Sequence, residues 1–371
     1  MADNGVRWVA IGENEDGTLA DFGMAEGYAV TEIPLDEGER LVGRVDRGWR
    51  IWTQGGVQPA DIYGAGRSLV PLVGDGETVR VAVLPVPRRG APRVQLFKTT
   101  HEVVFNTSDM TLPDLLVNDG TDRWVGVPVV NTGARAIVDA TAQVLENDYL
   151  EATAVAYPGL PGGAVTQVGF TLTPKAPWDT HDVEVPITLR VESPSLERSY
   201  EKTITFTTRR NKGGYRQSFR SNVDHSVQYY GVRIPKRFDE EDQYGLVLSL
   251  HGAGVEAIGQ VGAYSDKEWA FVVAGTNRRP FGFDWEEWGR LNAINTLDDA
   301  MARFGIDPTR VYLTGHSMGG HGTWHVGTST PGRFGAIAPS AGWSSFYSYG
   351  GADRPTGPVG RARAHSDTNN Y

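Results

Sequence analysis

From about residue 1 to 210, apolar positions alternate with polar ones in short runs, and Gly, Pro, Asp or Asn separates each run from the next. Examples are VRWVAIG from Val6, RLVGRVDRGWRIW from Arg40, TVRVAVLPV from Thr78, RWVGVPVVN from Arg123, ARAIVDATAQVLE from Ala134, VTQVGFTLT from Val165 and DVEVPITLRV from Asp182. A period of two with turn residues about every ten positions predicts antiparallel sandwiches or barrels. The stretch TSDMTLPDLLVNDGTD interrupts the strands near residues 108 to 120. It divides this half into a β-rich unit over 1–108 and a second over 109–210, which resembles an immunoglobulin-like sandwich. The absence of self-similarity at blade length argues against a propeller.

The texture changes after RRNKGGYRQ, residues 209–217. HSVQYYGVRIP from His225 opens a strand, and YGLVLSLHG from Tyr244 and WAFVVAG from Trp269 are near-continuous apolar runs, the kind buried on both faces of a parallel sheet. Leu291, Ile294, Leu297, Met301 and Phe304 recur every three or four positions and predict a helix that Gly305 closes as a C-cap. IDPTRVYLTG returns to strand, a helix follows from about Met318, and FGAIAPSAG supplies a further strand. Strands alternating with helices over 211–371 predict an α/β domain with a mostly parallel sheet.

Composition narrows the function classes. The 371 residues suffice for two or three cores, and a net charge of -10 disfavours nucleic acid and anionic membrane as partners. The chain has no cysteine, which excludes disulfides, thiol catalysis and zinc-thiolate sites. No apolar run is long enough for a transmembrane helix. The first residues, MADNGVRWVAIGENEDG, have neither a basic n-region nor an apolar core, so no export leader is expected there and the compartment stays open.

Two motifs carry chemistry. Gly315-His316-Ser317-Met318-Gly319 fits G-x-S-x-G between a strand and a helix, a turn so sharp that Gly315 and Gly319 leave no room for a Cβ. Upstream, at the end of the buried strand from Tyr244, stands His251-Gly252-Ala253-Gly254. Residues 215–371 resemble the catalytic domain of the prolyl oligopeptidase family and its polyhydroxybutyrate-depolymerase and feruloyl-esterase-like relatives. SVQYYGVRIP, LVLSLHGAG, TNRRPFGFDWEEWGR and VYLTGHSMGGHGTW carry the resemblance. It implies an α/β-hydrolase sheet and Ser317 as the acyl-forming nucleophile. The oxyanion donors expected are the Met318 amide and one amide near Ala253 or Gly254, with His251 and Gly252 shaping that loop. The resemblance implies a prolyl-oligopeptidase-type serine peptidase as the main expectation; because no propeller of the kind oligopeptidases often carry precedes the domain, a carbohydrate or polyester esterase is kept as the alternative.

A serine nucleophile needs a histidine and a carboxylate, and the chain order in this fold is Ser, acid, His. After Ser317 the acids are Asp353 and Asp367 and the histidines His321, His325 and His365. His321 and His325 lie on the helix leaving the turn and are expected to pack rather than to bind metal, because HGTWH lacks the glutamate of H-E-x-x-H. His365 sits in a polar tail with no strand pattern before it, so the expectation is that the last strands, with the acid and base, lie on sequence beyond Tyr371. No cofactor or metal is expected. Asn277, Trp285 and Trp288 are candidates for lining a substrate cleft at the sheet edge. Asn106-Thr107-Ser108 fits a glycosylation pattern, and Glu240-Glu241 and Glu286-Glu287 read as solvated acidic pairs. A non-catalytic alternative has the sandwiches binding glycan or protein beside a vestigial hydrolase domain.

Overall fold

The computed structural model describes residues 15, 27–59, 61, 65–85, 92–278, 284–345 and 367. The run from Val6, Asp353 and His365 lie outside these. The first seven strands are β1 (Ala29–Pro34), β2 (Arg40–Asp46), β3 (Gly48–Thr53), β4 (Gly56–Pro59), β5 (Leu69–Val73), β6 (Thr78–Pro85) and β7 (Arg93–Lys98). They form two antiparallel sheets, ordered β1-β6-β3-β4 and β5-β2-β7, around a core that includes Leu41, Ile51, Leu72 and Val81. The run from Arg40 becomes two strands in different sheets, with the chain turned between them at Arg47, φ 60°.

The next eight are β8 (Val103–Phe105), β9 (Leu115–Leu116), β10 (Arg123–Asn131), β11 (Ile137–Val144), β12 (Thr153–Leu160), β13 (Val165–Leu172), β14 (Glu184–Glu192) and β15 (Tyr200–Arg209). Sheets ordered β13-β10-β8 and β12-β11-β14-β15-β9 face each other across Val125, Val127, Phe170, Ile187, Leu189 and Trp178. Inward Val, Ile and Leu alternate with outward residues, as in β14, where Val185, Ile187, Leu189 and Val191 are buried. β8 pairs with β10 and buries Val103 in this second core. Residues 103–105, which the sequence places in the first unit, therefore belong to the second sheet.

The remaining elements are β16 (Tyr215–Arg220), β17 (Val227–Arg233), β18 (Tyr244–Leu250), α1 (Ala257–Gly262), β19 (Ala270–Gly275), α2 (Trp288–Arg303), β20 (Ile306–His316), α3 (Met318–Ser329) and β21 (Ala336–Ser340). They make one sheet in the order β16-β17-β19-β18-β20-β21. The β18–β19, β18–β20 and β20–β21 pairs are parallel, and β16–β17 and β17–β19 antiparallel. Pleating explains why the strands are apolar throughout. In β19, Phe271 and Val273 join the cluster holding Leu297 of α2 and Val326 of α3, while Val272 and Ala274 join Ala257 and Val261 of α1.

Helix α2 departs from its sequence reading in two ways. Its last residue is Arg303, Phe304 caps it in an extended conformation, and Gly305 is no left-handed cap; the Gly305 carbonyl instead accepts from Tyr244 N at 2.9 Å. Its most buried face is also partly polar. Asn292 Oδ1 accepts from Asn277 N at 3.0 Å, and Asn295 Oδ1 accepts from Ser221 Oγ and Asn222 N, each at 3.2 Å. Among the described residues no helix is long and apolar enough to cross a membrane.

The second sandwich docks on the six-stranded sheet through paired amides. Gln167 of β13 donates from Nε2 to Val227 O at 3.1 Å and accepts from Val227 N at 2.7 Å, acting as one more backbone rung. Gly126 and Gly169 face each other across β10 and β13 and make the hollow that receives Val227. A Cβ on Gly126 would stand 2.9 Å from Val227 Cβ, and one on Gly169 2.8 Å from Val227 Cγ2. Gly169→Ala is accordingly expected to cost about 1–3 kcal/mol through overpacking, read as a lower thermal midpoint. A midpoint equal to the parent's would mean the hollow is not needed.

Candidate active site

β18 and β20 run parallel as neighbours, and their last paired residues are Leu250 and Gly315. The loop after one strand and the turn after the other therefore leave the same sheet edge side by side, although 65 residues separate Leu250 from Gly315 in sequence. At the turn, Ser317 adopts φ 56° and ψ -117°, a conformation that a residue with a side chain takes only under constraint from its surroundings. Three backbone bonds hold it. Ser317 N donates to Ser340 O on β21 at 3.0 Å, and Ser317 O accepts from Gly320 N at 2.9 Å and His321 N at 3.1 Å.

The two glycines of the motif are sterically required. A Cβ on Gly315 would lie 2.2 Å from Gly319 O, and one on Gly319 would lie 1.9 Å from Leu250 O. Ser317 is exposed, whereas Met318 directly after it is buried. The Met318 amide opens α3, where the first N–H groups have no partner within the helix. Across from it, Gly252 passes so close that a Cβ there would lie 3.7 Å from Ser317 Cβ. Ala253 and Gly254, φ 75°, form an exposed turn closed by Val255 N donating to Gly252 O at 3.3 Å. A strained serine between strand and helix, flanked by a glycine loop from the adjacent strand, is an α/β-hydrolase-like arrangement.

The surrounding histidines are engaged elsewhere. His251 Nδ1 donates to Gly252 O at 2.9 Å, and its own carbonyl accepts from Trp285 Nε1 at 3.0 Å. His316 turns Nδ1 towards Ser340 Oγ, 3.2 Å away. His321 is fully buried, with Nδ1 2.9 Å from Trp343 O and Nε2 2.9 Å from Glu286 Oε1. A carbonyl and a carboxylate both accept, so each of these contacts needs its own proton. The His325 ring stacks 6.1 Å from that of His321. Among the described residues no group of three His, Asp or Glu is arranged to hold a metal.

The structure revises several sequence expectations. Trp285 is 0% and Asn277 2% exposed, so both are packing groups and not cleft walls: Trp285 braces His251, and Asn277 is tied to α2. Trp288 is 44% exposed, with the Arg278 guanidinium 4.7 Å from its ring centre. Residues 279–283 between them lie outside the described ones. Glu286 is no solvated acid but the partner of His321. Asn106 is buried, its Nδ2 donating to Arg67 O at 2.7 Å, which leaves no free amide for a glycan in the folded chain.

Sequence reasoning missed Asp284. It is 2% exposed with φ 57°, and neither carboxyl oxygen has a hydrogen-bond partner among the described residues. Burial pushes its pKa up to about 7, against the pull of His321 and with the repulsion of Glu286. The DWEEW stretch looked like a charged surface segment, and no pattern in it distinguishes a buried aspartate from an exposed one.

No family model matches the chain. A curated protein from Arthroderma benhamiae, described as an uncharacterized secreted protein, is 28% identical over 49% of this chain and 22% of its own length. The chain thus spans 22% of the length of that relative. Among solved structures, an S-formylglutathione hydrolase (FrmB) from Staphylococcus aureus is 13% identical with a TM-score of 0.32, over 42% of this chain and 66% of that one. A thermostable esterase gives 18% and 0.30, over 61% and 76%. A ferulic acid esterase from Anaeromyces mucronatus gives 17% and 0.30, over 36% and 60%.

Two predictions follow from the packing and charge of this site. Gly319→Ala is expected to abolish folding of the third unit, seen as loss of the cooperative transition in circular dichroism, because its Cβ would overlap the Leu250 carbonyl; a native-like transition would refute the steric reading. For Asp284, folded and unfolded chains both hold the proton below the ordinary value of 3.8. Between there and about 7 only the unfolded chain releases it, so stability falls by at most roughly 4 kcal/mol across that window and then levels off. Asp284→Asn should therefore raise the thermal midpoint at pH 8 and leave it nearly unchanged at pH 4. An equal shift at both pH values would contradict the buried, protonated carboxyl.

Proposed function

We propose that the protein is a serine hydrolase that cleaves ester bonds by acyl transfer through Ser317. The observation that carries this is the Leu250–Gly315 pairing, which puts a strained, exposed serine beside a glycine loop with open backbone amides. In the reaction Ser317 Oγ attacks the ester carbonyl carbon while its proton passes to a histidine. The negative charge that develops on the carbonyl oxygen is held by the Met318 amide and one from Ala253 or Gly254. Collapse expels the alcohol, which takes up the proton. Water then releases the acid by the same steps and restores the serine.

His321 has both ring nitrogens engaged, by Trp343 O and Glu286 Oε1, and is excluded as the proton acceptor. The acceptor is assigned to a histidine oriented by a carboxylate.

Ester substrates are preferred to peptides because the units ahead of the site are two small sandwiches, unlike the propeller that oligopeptidases often carry. We read the described chain as three units, with boundaries near residues 99–102 and 210–214, the second unit immunoglobulin-like and the sandwiches available to bind glycan or protein.

The test is fluorophosphonate labelling read by intact mass, on this chain and on the longest natural form of the protein. A single adduct at Ser317 is expected in a form that contains the proton acceptor. Ser317→Ala should lose it, and ester turnover should fall at least about a thousandfold, with circular dichroism unchanged. Labelling that persists in Ser317→Ala contradicts the nucleophile. Anilide turnover equal to that of the matching ester would move the reading to a peptidase.

A further inference from the structure

The loop with Ala253 and Gly254 is fastened at both ends. At its start, Trp285 Nε1 donates to the His251 carbonyl at 3.0 Å. At its end stands Glu256, which precedes α1, and the carboxylate of Glu256 is held from two sides. Tyr229 of β17, itself buried, donates its hydroxyl to Glu256 Oε2 at 2.8 Å. Arg67, from the first sandwich, reaches Glu256 Oε1 with a guanidinium nitrogen at 2.7 Å.

Arg67 is in turn built into its own surroundings. Its N–H donates to Asp61 Oδ2 at 2.8 Å, and its carbonyl accepts from buried Asn106 at 2.7 Å. A backbone pinned in this way limits the freedom of an otherwise flexible side chain, so less entropy is lost when the ion pair forms. Partial burial disfavours the guanidinium charge, but Glu256, with Asp109 and Asp61, outweighs that and holds its pKa above the ordinary value.

We infer that Arg67 is a positioning residue: through Glu256 it makes the first sandwich a brace for the loop Gly252–Val255, fixing the amides opposite Ser317. Taking those amides as oxyanion donors rests on the serine-hydrolase reading; the brace itself does not. An oxyanion donor works only if it is in place before charge develops. Loops on a sheet edge open readily unless they are tied down. A carboxylate one residue past the turn, held by a charged group from a separate core, removes that freedom.

The experiment is hydrogen–deuterium exchange on the whole protein and on Arg67→Ala, Arg67→Lys and Glu256→Gln, read in peptides spanning 251–262 and in β18 and β20. Arg67→Ala should speed exchange in the loop roughly tenfold, the size expected from losing a charge-assisted hydrogen bond, and leave β18 and β20 unchanged. Arg67→Lys should recover part of the protection, and Glu256→Gln, which keeps its shape, should resemble Arg67→Ala. Loop exchange equal to the parent's in both Arg67→Ala and Glu256→Gln overturns the brace. So does faster exchange spread evenly over β18 and β20, which would mean general destabilisation.

Fluorophosphonate labelling of the same samples separates this claim from the functional one. Parent protein that labels at Ser317 while loop exchange ignores Arg67 sinks the brace alone. Loop exchange that responds to Arg67 while no form of the parent labels keeps the brace and sinks the hydrolase reading.

Discussion

The sheet edge that carries Ser317 depends on how closely two chain turns approach the Leu250 carbonyl. That oxygen lies 1.9 Å from where a Cβ on Gly319 would be and 2.8 Å from one on Gly315. No other residue type fits, and because none fits, β20 can turn into α3 within one residue and leave Ser317 as the strained apex. The parallel pairing of β18 with β20 places the carbonyl there. It also brings His251–Gly254 to the same edge. The geometry of Ser317, the amide placement and the helix direction are thus consequences of a single close contact.

Around that contact the protein relies on polar bonds where apolar packing alone would leave the backbone free to shift. Of the twelve non-glycine residues with positive φ among the described ones, seven, Asn277, Arg278, Asp284, Trp285, Glu287, Ser317 and Ala341, fall in the loops that follow β19, β20 and β21. Each costs of order 1–3 kcal/mol, and the surroundings must impose them. Trp285 bonded to His251, Glu286 to His321 and Asn277 to Asn292 are the groups that do so. The same economy holds farther out, where Gln167 serves as a backbone rung to Val227 and Arg67 grips Glu256. The three cores are separate, yet polar contacts of this kind link them to one another.

Much of the fold was legible because burial leaves periodic traces. RWVGVPVVN is β10 residue for residue, and FGAIAPSAG contains β21. The elbow was legible for a different reason: glycine spacing records a steric demand, and both demanded positions carry one. Three features were not legible. Residues 103–105 belong to the second sheet because of a pairing with β10, and nothing in VVF specifies its partner. The polar residues Asn292 and Asn295 face inward on α2, because the loops after β19 and β16 offer Asn277 N, Ser221 Oγ and Asn222 N to bond, which a period of 3.6 cannot encode. Trp285 looked like a cleft wall and proved to be a brace, since an aromatic ring beside a loop serves either purpose until its burial is known.

The most direct test of the central claim is a crystal structure of the fluorophosphonate adduct. The account predicts phosphorus bonded to Ser317 Oγ, with the phosphonyl oxygen about 2.7–3.1 Å from the Met318 amide and from an amide of Ala253 or Gly254. Phosphorus on another residue, or a phosphonyl oxygen turned to solvent with those amides unused, would contradict it.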